Sequence, residues 1–335
     1  MSAAAETAGR PAGGGTRAGT VRSLWRSAWT FGLVGLLLLL FLVTRAIKPT
    51  YGASELESLA IGALPIAFAA VAQAVVVISG GIDLTIGSVM ALTNVTAAAL
   101  MAGGSEEFAV LVVVFVLLLG LVVGALNGLL VVITRVPDII VTLALSFVWA
   151  GAALLVLKSP GGSTAAWLKG LIDDTFLIVW IPEALVLLLV AVGVVWLPLR
   201  RSRLGLSMYA VGSDRLAAFR SGVAVGRTKI AAYAVTGLFA AMGGLSLSMS
   251  TGIGIPVPGP YTLLSVAAIV LGGVSLAGGR GGLLGPLLAV FILALIRADL
   301  TFLNVDPNFA TVVQGVILVV VVMVGAFATL RRRTA

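Results

Sequence analysis

The chain has 335 residues, of which 60% are hydrophobic and only 10% are charged, and its mean hydropathy is +1.18. This composition excludes an ordinary soluble domain, which needs more polar surface, and it indicates an integral membrane protein. Cys and His are absent, which excludes disulfides, thiolate nucleophiles, histidine general bases and the usual nitrogen and sulfur metal ligands. We therefore expect no cofactor, no metal site and no enzymatic activity.

The apolar runs predict an all-α polytopic protein of about ten transmembrane helices, since about 20 residues of helix cross the roughly 30 Å hydrocarbon core. Residues 1–27 are rich in Gly, Ala and Arg and are expected to form a disordered cytoplasmic tail. A transmembrane domain is expected over residues 28–330, followed by a basic cytoplasmic C-terminus at 331–335. The predicted spans cover residues 28–44, 58–78, 84–102, 108–133, 139–157, 181–198, 230–251, 261–277, 283–298 and 309–330.

Lys and Arg are distributed unevenly between the predicted loops. With the N-terminus inside, five of the 21 basic residues fall on the outer side and the others fall inside or in the tail; the five are Arg45, Lys48, Lys158, Lys169 and Arg297. This bias predicts cytoplasmic N- and C-termini. The basic residues are thus topological anchors, and the net charge of +8 does not indicate binding of nucleic acid.

Two of the predicted loops are long. The outer segment 158–180 is long enough for a short interfacial helix, with Trp167 and Trp180 suited to the headgroup level. The inner segment 199–229 is the largest hydrophilic stretch after the N-terminal tail.

The stretch ISGGIDLTIGS, residues 78–88, interrupts the apolar pattern after the second predicted span. Gly80 and Gly81 tolerate positive φ and can end a helix, and Asp83 is placed to accept from the free N–H groups of a helix beginning near Leu84. Interrupted helices occur at membrane depth only where protein or a water-filled cavity surrounds them. We therefore expect this break to face the interior of the protein.

Polar side chains continue from the break into the neighbouring spans. Thr85, Ser88 and Thr96 share one helical face, whereas Asn94 points away from it. Such hydroxyls either line a hydrophilic path for a solute or bond their own helix, and intramembrane amides either bridge helices or contact solute. The candidate residues of a substrate path or gate are Gln73, Asp83, Thr85, Ser88, Asn94 and Asn127.

A second glycine-rich break, LGGVSLAGGRGGLLG, covers residues 271–285. Alignment of residues 80–82 with residues 272–274 suggests an internal repeat of the kind that transporters use, although the second copy has no Asp. Gly120, Gly124 and Gly128 lie on one face of the fourth predicted span and indicate close helix packing. No Gly-x-x-x-x-Gly-Lys-Ser/Thr occurs in the sequence, which excludes a phosphate-binding loop of that type.

Residues 212–230, GSDRLAAFRSGVAVGRTKI, carry the signals of a short helix in the inner loop. Asp214 can cap its start, Ala217 and Ala218 permit close docking, and Gly222 is suited to stop it. From the residues alone this segment is either an ordinary basic loop or a coupling helix that contacts another protein.

Three motifs, ISGGIDLTIGSVMAL, VGSDRLAAFRSGV and IVLGGVSLAGGRGGLLGPLLA, occur in this order. Together they resemble the ribose-type permease subunits of bacterial ATP-binding-cassette importers for simple sugars, over roughly residues 55–330. The resemblance implies two permeases, identical or paralogous, in the bacterial cell membrane. It also implies a separate ATP-hydrolysing subunit inside, a solute-binding protein outside, and a simple sugar or related polyol as substrate.

By this resemblance Ala217, Ala218 and Gly222 match the loop that docks on the ATPase, and Leu216 stands where many members carry an acid. The departure at Leu216 leaves the contacts with the partner open. The candidate residues for ATPase coupling are Asp214, Arg215, Ala217, Ala218, Arg220 and Gly222.

An ion-coupled secondary transporter of a small polar solute is the alternative. Such proteins usually place several ionisable groups within their spans, and here Asp83 is the only mid-sequence candidate. A membrane enzyme would require a catalytic constellation that His, Cys or clustered carboxylates normally supply.

Overall fold

The computed structural model describes residues 15–173 and 180–306, together with isolated positions between 309 and 323. Over these residues the chain is helical and forms no strand, so the all-α prediction is confirmed. The helices are α1 (Gly15–Ile47), α2 (Ala53–Ile78), α3 (Ile86–Met101), α4 (Glu106–Thr134), α5 (Asp138–Val156), α6 (Ala166–Asp173), α7 (Glu183–Arg201), α8 (Arg203–Ser213), α9 (Arg215–Arg220), α10 (Val225–Thr251), α11 (Tyr261–Leu271) and α12 (Leu284–Phe302).

Seven of these helices are long and apolar enough to cross a membrane, namely α2, α4, α5, α7, α10, α12 and the part of α1 from Trp29. The predictions for 84–102 and 261–277 were too long, because α3 has 16 residues and α11 has 11. Both helices adjoin a glycine-rich break, where the chain leaves the helix instead of continuing it. The tenth predicted span, 309–330, lies outside the described residues apart from isolated positions.

The disordered cytoplasmic tail expected over residues 1–27 stays a prediction. Residues 1–14 lie outside the described residues, and α1 begins at Gly15. Beyond Pro11 this segment contains no proline, and extending an existing apolar helix requires no new nucleus. The predicted C-terminal segment 331–335 lies outside the described residues.

The core of the protein is built around α2 and α10. Two thirds or more of the apolar window of each helix is buried, 83% for α2 and 67% for α10. The glycines at 120, 124 and 128 bring α4 against α10: a Cβ on Gly124 would overlap the Tyr233 carbonyl oxygen, and one on Gly120 would overlap Ala241. This confirms the predicted close packing, which small residues permit.

The outward faces of α1, α4, α5 and α7 are apolar. Phe31, Phe147 and Leu155 are 73%, 73% and 86% exposed. Large apolar side chains at this exposure are stable when lipid surrounds the helices. The chain is therefore a multi-pass membrane protein.

Short polar contacts hold the end of the molecule where α1 meets α2 and α12. Lys48 Nζ lies 2.9 Å from Glu55 Oε1 and 4.8 Å from the centre of the Phe302 ring. Burial, together with the nearby carboxylates of Glu55 and Asp299, raises the pKa of the Tyr51 hydroxyl. The short helix expected within 158–180 is α6, which contacts the start of α4. Its Trp167 donates from Nε1 to the Glu106 carbonyl.

Candidate functional site

The first break begins where α2 ends in a left-handed glycine cap. Gly80 has φ +79°, a conformation that glycine adopts without steric cost. The Gly80 N–H donates to Val77 O at 2.9 Å and the Gly81 N–H donates to Val76 O at 3.0 Å, which is the hydrogen-bond pattern of a Schellman motif. The glycine pair therefore terminates α2 as predicted, and it satisfies carbonyls that would otherwise be unpaired in the membrane.

Asp83 accepts hydrogen bonds from Thr85, the residue just before α3, and α3 starts later than predicted. The helix begins at Ile86 rather than near Leu84, with Thr85 as its N-cap residue. Asp83 Oδ1 accepts from the Thr85 N–H at 2.8 Å and from the Thr85 hydroxyl at 2.6 Å. An Asp that bonds the backbone two residues ahead forms an Asx-turn, so Asp83 organises the turn that leads into α3 instead of capping its first free N–H groups.

A buried hydrogen-bond network extends from Thr85 into α4 and α5. Asn127 Nδ2 donates to Thr85 Oγ1 at 2.8 Å, and Trp149 Nε1 donates to Asn127 Oδ1 at 2.9 Å. Asp83, Thr85 and Asn127 are each no more than 2% exposed. The break is therefore tied to two neighbouring helices, and Asn127 bridges helices in this conformation.

Of the remaining candidate path residues, Ser88 adjoins this network, whereas Asn94 and Gln73 lie apart from it. Ser88 donates to the carbonyl of Thr85 in its own chain segment, as Thr and Ser often do within helices. Asn94 joins α3 to α10 and the following loop: it donates to Ser248 Oγ at 2.8 Å and accepts from the Ile255 N–H at 2.6 Å. Gln73 in α2 is fully buried, and its amide nitrogen and oxygen have no hydrogen-bond partner among the described residues.

The second break repeats the geometry of the first. Gly273 has φ +77°, its N–H donates to Val270 O at 3.0 Å, and the Val274 N–H donates to Ile269 O at 2.9 Å. This is again a Schellman motif. It corrects the proposed alignment by one residue, because Gly80 is equivalent to Gly273 and not to Gly272.

The two breaks meet at the end of α8 through glycine backbones. A Cβ on Gly80 would lie 3.3 Å from the Gly212 Cα, and a Cβ on Gly278 would lie 2.7 Å from the Gly212 oxygen. The Gly279 N–H donates to the Ile78 carbonyl at 2.9 Å. We call the set Gly80, Gly212, Gly278 and Gly279 the glycine junction. It places the end of α8 in contact with both breaks, and α9 begins three residues after Gly212.

Helix α9 has the termini that the sequence predicts. Asp214 Oδ1 accepts from the N–H groups of Leu216 and Ala217, both at 2.9 Å, which is N-capping by a carboxylate. Gly222 follows the helix with φ +84°, and its N–H donates to the Phe219 carbonyl at 3.0 Å.

The two alanines of α9 occupy different environments. Ala218 is 5% exposed and packs with Val211 and Val225, so it anchors α9 to the rest of the protein. Ala217 is exposed, as are Leu216 at 57% and Phe219 at 67%. The exposed apolar pair was missed by sequence reasoning, although a Phe in a hydrophilic loop is a signal for it.

Sequence reasoning also missed a polar cluster next to the first break. Lys229 Nζ at the start of α10 lies 2.7 Å from Asp138 Oδ1 at the start of α5. The Tyr233 hydroxyl lies 2.9 Å from Asp138 Oδ2 and 3.2 Å from the Ile82 carbonyl oxygen. The available signal was a lone acid and a lone base, each at the start of an apolar span.

The acidic side chains of the described residues do not cluster into a metal site. Within this part of the chain no group of three or more acidic, His or Cys side chains is placed to hold a metal ion.

Comparison with known proteins identifies the family. Residues 55–322 match the family described as the branched-chain amino acid transport system / permease component. The ribose import permease protein of Escherichia coli K12 is 29% identical over 315 residues, covering 90% of this chain and 96% of the relative. The autoinducer 2 import system permease proteins of Escherichia coli K12 and Shigella flexneri are 29% identical over 322 residues, covering 92% of this chain and 94% of the relative.

No solved structure matches the chain significantly. The family match covers most of the chain and contains both glycine breaks, the glycine junction and α9. The chain therefore belongs to the permease components of the branched-chain amino acid transport system family and is a transport protein of the membrane.

Proposed function

We propose that this chain is the membrane subunit of an ATP-driven importer for a simple sugar or a related polyol. Two relatives that cover at least 90% of the chain are named as import permeases, one for ribose and one for autoinducer 2. The polar groups at the first break also favour such a solute over an amino acid. They are hydroxyls and amides plus one carboxylate that Thr85 already occupies. The two charges beside the break, Lys229 and Asp138, already pair with each other, whereas the two charges of an amino acid would need buried charged partners of their own.

The observation that carries the coupling to ATP is the position of α9. Ala218 packs α9 against the rest of the protein, and the neighbouring helix α8 contacts both breaks. Leu216 and Phe219 are exposed on the outer side of α9. Exposed apolar side chains next to Arg215 and Arg220 suit a protein partner with an apolar groove and acidic rim. We assign this surface to a separate ATPase subunit, which places α9 and both chain termini on the cytoplasmic side.

The candidate solute gate is the first break with its network of Asp83, Thr85 and Asn127. This network is closed and buried within the single chain, so passage of a solute requires the break to move. Ser88 and Asn94 lie further along α3, and the unpartnered amide of Gln73 can bond a solute or water when the path opens. A second permease, identical or paralogous, completes the path, and an extracytoplasmic binding protein delivers the solute.

The test is uptake by reconstituted transporter. The tagged chain is co-purified with its ATPase subunit, placed in liposomes and supplied with the binding protein and radiolabelled D-ribose outside. We expect accumulation only when ATP is present in the lumen and the binding protein is present outside.

Two controls discriminate the alternatives. Ribose accumulation by the chain without the ATPase, driven by a proton or sodium gradient and abolished by an ionophore, would establish an ion-coupled transporter and contradict the proposal. Radiolabelled leucine replaces ribose in a parallel assay, and ATP-dependent accumulation of leucine in place of ribose would contradict the sugar assignment.

A further inference from the structure

A partly buried ion pair connects two helices beside the first break. Lys229 of α10 and Asp138 of α5 are 91 residues apart in the sequence, and their side chains are 12% and 15% exposed. Lys229 lies nine residues after the end of α9, and Ala218 of α9 packs against Val225 at the start of α10, so a displacement of α9 is passed to this end of α10. Because an unpaired charge at this burial is unfavourable, the pair favours a single relative position of α5 and α10.

Two hydroxyl groups next to this pair each lie within reach of two acceptors. The Tyr233 hydroxyl lies 2.9 Å from Asp138 Oδ2 and 3.2 Å from the Ile82 carbonyl. Thr142 Oγ1 lies 2.8 Å from the Asp138 carbonyl and 3.3 Å from the same Ile82 carbonyl. A hydroxyl has one hydrogen and donates it to one acceptor at a time. In both cases the shorter contact is with Asp138, so the Ile82 carbonyl in the break is the second acceptor of both donors.

The cluster has no room for a larger residue at the break. A Cβ on Gly81 would lie 2.8 Å from Asp138 Oδ2 and 3.0 Å from the Tyr233 hydroxyl oxygen. The backbone of the break at Gly81 is therefore in close contact with the side chains of Asp138 and Tyr233.

On its other side the cluster borders a cavity of about 190 Å³ that is lined by Asp138, Lys229, Arg135 and Arg215. Arg215 is the first residue of α9. Arg215 thus brings a cation from α9 to the cavity that Arg135 and the ion pair also line, so a shift of α9 changes both the space and the charge around Asp138.

We propose that Asp138, Lys229 and Tyr233 form a switch that transmits a displacement of α9 to the first break. Movement of α10 alters the Lys229–Asp138 pair, and the Tyr233 hydroxyl then exchanges Asp138 for the Ile82 carbonyl and repositions the chain before Asp83. All three are positioning residues: Asp138 and Tyr233 contact the break, and Lys229 acts through Asp138. The proposal rests on the proposed function, because the ATPase supplies the displacement.

The chain has no cysteine, so a single introduced cysteine reports on the break. Leu84→Cys lies in the break at a half-buried position. In the complex with the ATPase, we measure its labelling rate by a maleimide with no nucleotide and after trapping with ATP and vanadate. We expect trapping to change the rate at least fivefold in the parent, and Tyr233→Phe to reduce that change to less than twofold. Both complexes should retain the ATPase and melt at similar temperatures.

Matched variants separate a switch from a structural contact. Tyr51→Phe removes a tyrosine hydroxyl at the opposite end of the molecule and should leave the response at position 84 intact. Lys229→Arg keeps the charge and should retain the response, whereas Lys229→Met should lose it. If Tyr233→Phe fails to assemble, the Lys229 pair of variants decides the question in the same assay.

A response that survives in both Tyr233→Phe and Lys229→Met would overturn the switch. An absent response in a parent complex that contains the ATPase and imports ribose would also overturn it, because the break would then not be the moving element, while the proposed function would stand. Failure of the parent to bind an ATPase or to import solute would instead contradict the proposed function.

Discussion

At the scale of single residues, the first break shows how a carboxylate is accommodated at membrane depth. Asp83 is 2% exposed and accepts two hydrogen bonds from Thr85. Thr85 in turn receives a hydrogen bond from Asn127. Asp83 Oδ1, the Thr85 hydroxyl and both polar atoms of the Asn127 side chain each have a partner, which is the condition for keeping polar groups away from water.

Replacement of Asp83 by alanine should destabilise the break and impair transport. The variant leaves the Thr85 N–H without its acceptor, and an unsatisfied buried donor costs about 1–3 kcal/mol. Thermal unfolding in detergent and ribose uptake in proteoliposomes measure the effect. Asp83→Asn keeps one acceptor oxygen and should be milder, and an Asp83→Ala protein with the melting temperature and uptake of the parent would show that the carboxylate is dispensable.

Phe219 and Ala218 should respond differently to substitution although they are adjacent in α9. Phe219 is 67% exposed, so Phe219→Ala should leave the melting temperature of the chain unchanged and reduce co-purification of the ATPase several-fold. Ala218 is packed against Val211 and Val225, so Ala218→Leu should displace α9 and lower both quantities. Equal amounts of bound ATPase in Phe219→Ala and the parent would contradict the docking assignment.

At the scale of helices, the two glycine caps are the main device of the fold. Each one ends an apolar helix inside the membrane domain while satisfying its last carbonyls, at Gly80 after α2 and at Gly273 after α11. The segments that follow the two caps both contact Gly212, through Gly80 and Gly278. A short helix outside the core can therefore contact both interruptions through one point, which requires residues without side chains.

Packing of α4 on α10 should be sensitive to a change in residue size. Gly124→Leu would place a side chain into the Tyr233 carbonyl and Gly237, and overpacking of this kind costs about 1–3 kcal/mol or more. We expect loss of monodisperse protein in size-exclusion chromatography. Gly151→Leu is the matched control, because no atom lies within 4 Å of its added Cβ and the new side chain enters lipid; equal behaviour of the two variants would contradict the packing.

At the scale of the whole molecule, the chain separates a membrane belt from two polar ends. Helix α4 has 29 residues, about 43 Å at 1.5 Å per residue, which crosses a bilayer of roughly 30 Å hydrocarbon thickness with a margin. One end of the molecule contains α9, the end of α8 and the starts of α5 and α10. The other end contains the contact between Glu106 and Trp167.

The predicted orientation can be measured with the same cysteine-free background. Arg203→Cys at the α9 end and Glu107→Cys at the opposite end are both exposed positions. A membrane-impermeant maleimide should label Glu107→Cys in intact cells and Arg203→Cys only after permeabilisation, because the excess of Lys and Arg retains the α9 end in the cytoplasm. The reverse pattern would invert the topology and remove α9 from the reach of an ATPase.

The sequence alone determined the features that depend on neighbouring residues. Apolar runs of membrane length located α2, α4, α5, α7, α10 and α12, and the local signals Asp214 and Gly222 located α9, because spans and caps are set by residues a few positions apart. The position of Asp83 and the glycine pair likewise indicated the first break.

The tertiary structure decided what joins distant segments. The Asp138, Lys229 and Tyr233 cluster, the glycine junction, and the burial of Ala218 beside an exposed Ala217 all depend on which helices meet. The lengths of α3 and α11 were decided in the same way, because the chain leaves an apolar helix only where protein surrounds the break and satisfies its backbone. Hydropathy measures each residue by itself, whereas these features arise from pairs of residues that only the folded chain brings together.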